Sequence, residues 1–265
     1  MKALQRSTGP GLTTLSVYVS GREKLAGATL ALVRKRHLQL VVAWQPDGSL
    51  KRGTLRDVLR GRYDRALTTL AGQLAGLKPP AIVRPMPEPN TPWYAWSGAT
   101  PGNGAARYVK AFRHVRAVLH AGRGGRRIRL LWTPYARSVP EVATNEIRDY
   151  FPGRSQVDLV GAVGYNFGAT GELDWALPQT LFQVAYDTID QLARKPFWIA
   201  ETGSTSVGGD KVDWIAELQP LAATMPRLAG VIWYDVSEDA GDFRIRESAA
   251  TLGGFRSYLR AVACR

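Results

Sequence analysis

The chain is constrained most by one alternation, repeated seven times. A short apolar run rich in β-branched and aromatic residues is followed by a stretch whose apolar positions recur at helical spacing. The runs are 13–19 (TTLSVYV), 38–44 (LQLVVAW), 80–85 (PAIVRP), 127–132 (RIRLLW), 157–164 (VDLVGAVG), 196–201 (PFWIAE) and 229–234 (AGVIWY). Between them lie stripes such as Leu67, Leu70, Leu74 and Leu77; Tyr108, Phe112, Val115 and Leu119; and Phe182, Ala185, Ile189 and Leu192. Each stripe puts one apolar face on a sheet. The Pro-, Gly- and Ser-rich stretch from Pro87 to Gly104 reads as a long loop after the third strand, and no linker divides the 265 residues. The reading is therefore α/β, one domain over 1–265.

Strand then helix, seven times, fits a (β/α)8 TIM barrel better than an open doubly wound sheet. No Gly-x-Gly-x-x-Gly or Walker loop follows the first strand, and the cluster Gly122–Gly125 precedes a strand rather than a helix. Seven strands are one short of closure and the first begins almost at the start of the sequence, so the expectation is a barrel lacking its first β/α unit. No window carries the roughly 18 apolar residues of a membrane span, and the opening MKALQRSTGPG lacks a secretory apolar core. One cysteine, Cys264, excludes an internal disulfide, and three scattered histidines leave little for a metal site. No metal and no cofactor are expected.

The net charge of +13 is uneven. Residues 1–130 hold 23 Lys and Arg against 5 Asp and Glu, whereas residues 131–265 hold 12 against 17. Such asymmetry suggests a basic flank attractive to an anionic surface, whether nucleic acid, envelope polymer or lipid headgroups. Bases at helical spacing (Arg107, Lys110, Arg113, Arg116) read more simply as a solvated helix face. No basic run interleaved with aromatics marks a nucleic-acid module, so no nucleic-acid partner is expected.

In such barrels chemistry sits where strands end. Two glutamates meet that test: Glu88 after AIVRP and Glu201 at the end of FWIAE, each against apolar or aromatic neighbours. Two carboxyls converging on a barrel mouth suit glycoside hydrolysis, one giving a proton to the leaving oxygen and the other attacking or activating water. Rings for sugar stacking stand at strand ends and in loops: Trp44, Trp93, Tyr94, Trp96, Trp132, Tyr135, Tyr165, Trp233 and Tyr234, about half of them expected in the core. Other schemes fit poorly. Ser204 and Ser206 have no Gly-x-Ser-x-Gly elbow, His114 and His120 stand six apart on one helix, His37 begins a strand, and Glu238, Asp239 and Asp242 read as a solvated loop.

The run Arg84-Pro-Met-Pro-Glu-Pro-Asn-Thr-Pro-Trp-Tyr-Ala-Trp96 resembles the fourth-strand motif of glycoside hydrolase family 26, the β-mannanase family of the clan A (β/α)8 hydrolases. There an arginine, a His-Glu pair, Met-Asn-Gly and Trp-Tyr-x-Trp surround the general acid/base. Further resemblances follow in order: Trp44-Gln-Pro46, Gly61-Arg-Tyr-Asp64, Tyr165, Ala200-Glu-Thr-Gly203 and Gly230-Val-Ile-Trp-Tyr-Asp235. They cover roughly residues 8 to 260.

The resemblance implies Glu88 as acid/base and Glu201 as nucleophile of a retaining double displacement, with carboxyls about 5 to 5.5 Å apart. It implies Arg84, Trp44, Trp93, Trp96, Tyr165 and Trp233 as substrate-binding or site-shaping residues. Tyr165 would donate to Glu201, Arg84 would keep that carboxylate ionised, Trp233 would floor the sugar at the cleavage point and Trp93 would bind beside it. The implied partner is a β-linked polysaccharide or oligosaccharide such as mannan, glucan or a bacterial polymer, met by a monomer in a secreted or envelope setting. Departures stand at the acid/base: Pro87 replaces the usual histidine, and Pro89 and Thr91 replace Met and Gly. The alternative expectation is a catalytically degenerate barrel that binds a polysaccharide without cleaving it.

Overall fold

The computed structural model describes residue 8 and residues 11–46, 54–169 and 174–263. Cys264 and most of the opening segment lie outside these residues. Seven strands form one sheet: β1 (Thr14–Ser20), β2 (Gln39–Gln45), β3 (Ile82–Pro85), β4 (Arg129–Trp132), β5 (Leu159–Asn166), β6 (Phe197–Ser204) and β7 (Leu228–Trp233). They are all parallel and hydrogen-bonded in chain order. Each connection returns over one face, through helices α1 (Gly27–Arg36), α2 (Thr54–Leu59), α3 (Asp64–Leu74), α4 (Ala105–Ala121), α5 (Pro178–Leu192), α6 (Lys211–Ala216), α7 (Leu221–Thr224) and, after β7, α8 (Ala249–Ala263). The exception is the passage from β4 to β5. Where the alternation implied a helix, there are two 3₁₀ turns, Ile147–Tyr150 and Arg154–Gln156, because this segment carries no apolar stripe of helical period.

The sheet is strongly curled. In a flat sheet β1 and β6 would lie about 24 Å apart, five strand spacings of about 4.8 Å. Instead the Tyr18 hydroxyl of β1 reaches the Glu201 carboxylate of β6. The result is a (β/α)8-type barrel short of one strand, and among the described residues no ladder joins β1 to β7. A helix covers that seam. α8 packs Phe255 and Leu259 with Ile215 of α6 and with Leu12, just before β1, and Leu259 Cβ leaves no more than contact distance for a side chain at Gly11.

Strand alternation sends one set of side chains outward to the helices and the other inward. The outer set includes Leu40, Val42, Trp44, Val83, Leu130 and Trp132, packed on the buried stripes of α3, α4 and α5. The inner set is a smaller cluster of Val41, Ile82, Leu131, Leu159, Trp198, Ala200 and Ile232. Trp198 fills much of that interior. Its register partners on both neighbouring strands are glycines, Gly161 and Gly230. A Cβ on Gly230 would stand 2.7 Å from the indole, and one on Gly161 2.2 Å from the Trp198 carbonyl oxygen. A large ring and two absent side chains together occupy the space of three ordinary residues.

No helix among the described residues is long and apolar enough to cross a membrane.

Candidate active site

The C-terminal strand ends carry the site. On β6 the pairing with β5 slips between Ala162 and Val163, so that Ile199 faces Ala162 and Glu201 faces Val163, leaving Ala200 as an extra residue. A bulge of this kind turns the strand and re-aims the next side chain. Ala200 joins the inner core while Glu201 also points inward, where strict alternation would have sent one of them out.

Glu201 is buried and held on both oxygens. Arg84 of β3, fully buried, donates from Nη2 to Oε2 at 2.7 Å and from Nη1 to the Ala200 carbonyl at 2.9 Å, gripping side chain and bulge together. The hydroxyl of Tyr18 donates to the same Oε2, and that of Tyr165 on β5 donates to Oε1. Desolvation of the hydroxyls, and then the Glu201 charge, push both phenols well above their ordinary range, so both remain protonated donors, although the outer part of Tyr18 leaves that residue 45% exposed. Burial opposes the Arg84 charge, but Glu201, with Tyr18 and Glu88, more than compensates and holds the guanidinium protonated.

Glu88 has the opposite surroundings. It is 5% exposed, and among the described residues its single side-chain donor is the indole Nε1 of Trp93, at 2.9 Å from Oε2. Burial first and the Glu201 charge second raise its pKa from 4.5 to about 7, while Trp93 and Arg84 pull it partly back. The two carboxyls thus stand in opposite surroundings, one ion-paired and one desolvated.

The Glu88 loop is fixed by its backbone. Met86 and Glu88 take φ of 49° and 57°, a left-handed conformation that side-chain-bearing residues adopt only where the surroundings enforce it. The enforcing contacts are numerous. The Glu88 amide donates to Thr133 O, and its carbonyl accepts the hydroxyls of Thr91 at 2.8 Å and Ser97 at 3.3 Å. The Pro87 carbonyl accepts Trp96 Nε1 at 2.9 Å, and the Met86 carbonyl accepts the Tyr108 hydroxyl at 3.0 Å. Asn90 ties the loop to the one after β4, donating to Tyr135 O and Ser138 Oγ and accepting the Tyr135 amide.

The aromatic residues divide. Trp93, 39% exposed, stands edge-on to Tyr135 at 5.3 Å beside Glu88. Trp96 is buried, stacked on Tyr94 at 4.4 Å, and supports the loop from beneath without presenting a face to solvent. Trp44 is buried on the helix side of β2, edge-on to Tyr63, with its indole donating to Gly21 O. Trp132 is core as well, against Phe151. Trp233 lies between Trp214 of α6 and Phe255 of α8, because its neighbour Ile232 takes the inward position. Tyr234, just after β7, stands 5.7 Å from Tyr165, its pKa raised to about 12 by burial and Glu238 ahead of Glu201. Tyr18 is the participant that the sequence reading missed. Its strand looks like any edge strand, and nothing local marks one hydroxyl as reaching β6.

The segment after β7 closes the far side. Lys211, buried at the start of α6, donates to the carbonyls of Asp242 and Arg244 at 2.8 and 3.1 Å and pairs with Glu247 at 2.8 Å. This clamp sets Phe243 against Tyr165 at 5.4 Å and against Gly203, where a Cβ would stand 3.0 Å from the ring. No group of three or more His, Cys, Asp or Glu among the described residues could hold a metal.

A curled parallel sheet that presents an ion-paired glutamate and a desolvated one at its C-terminal strand ends has the arrangement of the barrel glycoside hydrolases. Comparison with known proteins makes the assignment specific. The model of glycosyl hydrolase family 26 matches residues 55–180. Endoglucanase H of Acetivibrio thermocellus is 26% identical over 227 residues, 84% of this chain and 24% of that protein, so the chain spans about a quarter of the length of the curated relative it matches. The catalytic domain of the Bacillus sp. JAMB-750 GH26 endo-β-1,4-mannanase superposes with a TM-score of 0.63 at 15% identity, covering 86% of this chain and 67% of that one. The Bacillus subtilis mannanase man26 superposes at 0.62 with 16% identity, over 95% and 78%. These matches support an assignment to glycoside hydrolase family 26, whose model covers just under half of the chain.

Proposed function

We propose that the protein is a retaining glycoside hydrolase acting on a neutral β-linked polysaccharide, with Glu201 as nucleophile and Glu88 as general acid/base. The observation that carries this reading is the opposite treatment of the two carboxyls: Arg84 and two phenols on Glu201, apolar burial and one indole on Glu88. Glu201 attacks the anomeric carbon while Glu88 gives its proton to the departing glycosidic oxygen. Oε1, with one donor, keeps more lone-pair capacity than Oε2, with two, and is the attacking atom. Once Glu201 is esterified its charge is gone, the electrostatic contribution to the raised Glu88 pKa disappears, and Glu88 becomes a base for the incoming water. A neutral substrate is favoured because the described segments that follow the strands, residues 21–26, 86–104, 133–146, 167–169, 174–177, 205–210 and 234–248, hold eleven Asp and Glu against five Lys and Arg, a field that repels polyanions.

The test uses Glu201→Gln and Glu88→Gln on β-mannan, β-1,4-glucan and mixed-linkage glucan, and on an aryl β-glycoside with a good leaving group. Glu201→Gln should abolish all turnover. Glu88→Gln should lose polysaccharide cleavage but still form the glycosyl-enzyme from the activated glycoside, with azide restoring release as the β-azide. Full activity of Glu201→Gln, or binding of these polymers by the wild-type protein with no cleavage at all, would sink the reading.

A further inference from the structure

We infer that the pole opposite the active site is a docking surface for an anionic lipid bilayer, held there by charge alone, with the catalytic mouth facing away from the membrane.

The topology converts the uneven charge of the sequence into a spatial one. In a parallel β/α barrel every helix-to-strand connection lies at the N-terminal pole and every strand-to-helix connection at the catalytic pole. The five connections leading into β2 to β6, residues 37–38, 75–81, 122–128, 151–158 and 193–196, together with the last turn of α1 (34–36) beside them, hold ten Lys and Arg against one carboxylate, Asp158. Because β2 to β6 are neighbours in sheet order, these connections are contiguous around the pole. The triplet Arg34–Arg36, Lys78, Arg126, Arg127 and Arg194 are exposed. Among the described residues none of the ten forms an ion pair, and Asp158 is occupied with the Leu130 amide. His120, on the last turn of α4 beside this pole, feels the field: burial, then Arg116 and, more weakly, Arg126 push its pKa down.

The distribution favours a planar array of phosphate headgroups over a polymer. The bases are spread over five loops rather than lining a groove. The only Phe, Tyr or Trp in these connections, Phe151, is spent edge-on to Trp132 at 5.2 Å, so no benzenoid or indole platform for a nucleobase or sugar exists there. None of the exposed large apolar residues of the described chain lies in these five connections, so attachment has no inserted anchor and must be reversed by salt. The acidic field of the opposite pole fixes the orientation.

The experiment is sedimentation of the full chain with vesicles of phosphatidylcholine containing 30% phosphatidylglycerol or none, at about 50 and 500 mM salt, spanning the screening range. The expected result is binding to the anionic vesicles only, lost at high salt. The triple variant Arg126→Glu, Arg127→Glu, Arg194→Glu should bind at least tenfold more weakly, with unchanged turnover of a soluble substrate. The charge-matched Arg56→Glu, Arg60→Glu, Arg65→Glu, away from the pole, should bind nearly as wild type. Equal binding to neutral vesicles, equal loss in both triple variants, or capture by a soluble polyanion such as polyglutamate or duplex DNA but not by vesicles would each overturn the inference.

Discussion

Trp93 shows how finely one side chain sets the site. Its indole donates to Glu88 Oε2 and so favours the ionised form, against burial and Glu201. A hydrogen bond to a charged group contributes about 1.5 kcal/mol, on the order of one pK unit. Trp93→Phe should therefore move the basic limb of the kcat/KM profile, which falls through about pH 7 as Glu88 loses its proton, to higher pH by that order. A profile that keeps its limb and only drops in height would mean that Trp93 serves the sugar and not the acid. Tyr18→Phe removes one of three donors to Glu201 among the described residues and should lower kcat/KM by roughly ten- to a hundredfold, the equivalent of ~1.5–3 kcal/mol. At this scale Glu88 and Glu201 were legible because an acid at the end of an apolar strand stands out. Tyr18 was not, since its role depends on curvature. The same limit applies to Trp233 and Tyr234: adjacent rings in the sequence, of which the fold sets the first against Trp214 and Phe255 and the second against Tyr165.

Among the elements, all seven strands lie where the apolar runs placed them, within two residues at most ends, because burial on both faces leaves a continuous apolar signal. The stripes of α3, α4 and α5 are buried as their spacing required. α1, with only Leu30 and Val33 buried, carried no such stripe, and the bulge at Ala200 left no mark in the sequence. Trp198 and its two glycines supply the element-scale prediction. Gly161→Ala sets a Cβ against backbone, which cannot step aside, and Gly230→Ala sets one against the indole. Each should cost about 1–3 kcal/mol of stability, as overpacking generally does, read by chemical denaturation, with Gly161→Ala the more severe. Rescue of Gly230→Ala by Trp198→Leu would locate the clash at the ring.

For the whole molecule, the raised pKa of Glu88 ties stability to pH. Its folded value of about 7 exceeds its ordinary 4.5, so the folded protein holds a proton that the unfolded chain has released between those values. Stability from this group is complete below about pH 4.5 and is lost as pH rises through 7, about 3 kcal/mol in all. Glu88→Gln, neutral at every pH, should therefore melt above the wild type at pH 8, and the gap should narrow toward pH 5. A gap independent of pH would show that the glutamate carries no such cost.

The Tyr18 hydroxyl is contributed by a strand with a ladder on one side only among the described residues, and Glu201 by one with ladders on both sides. The carboxylate therefore leans on the part of the sheet that opens most readily. Warming should fray the outer strand and uncouple the pair while the interior around Trp198 is still intact, so that the protein would stop working before it unfolds, and recover on cooling.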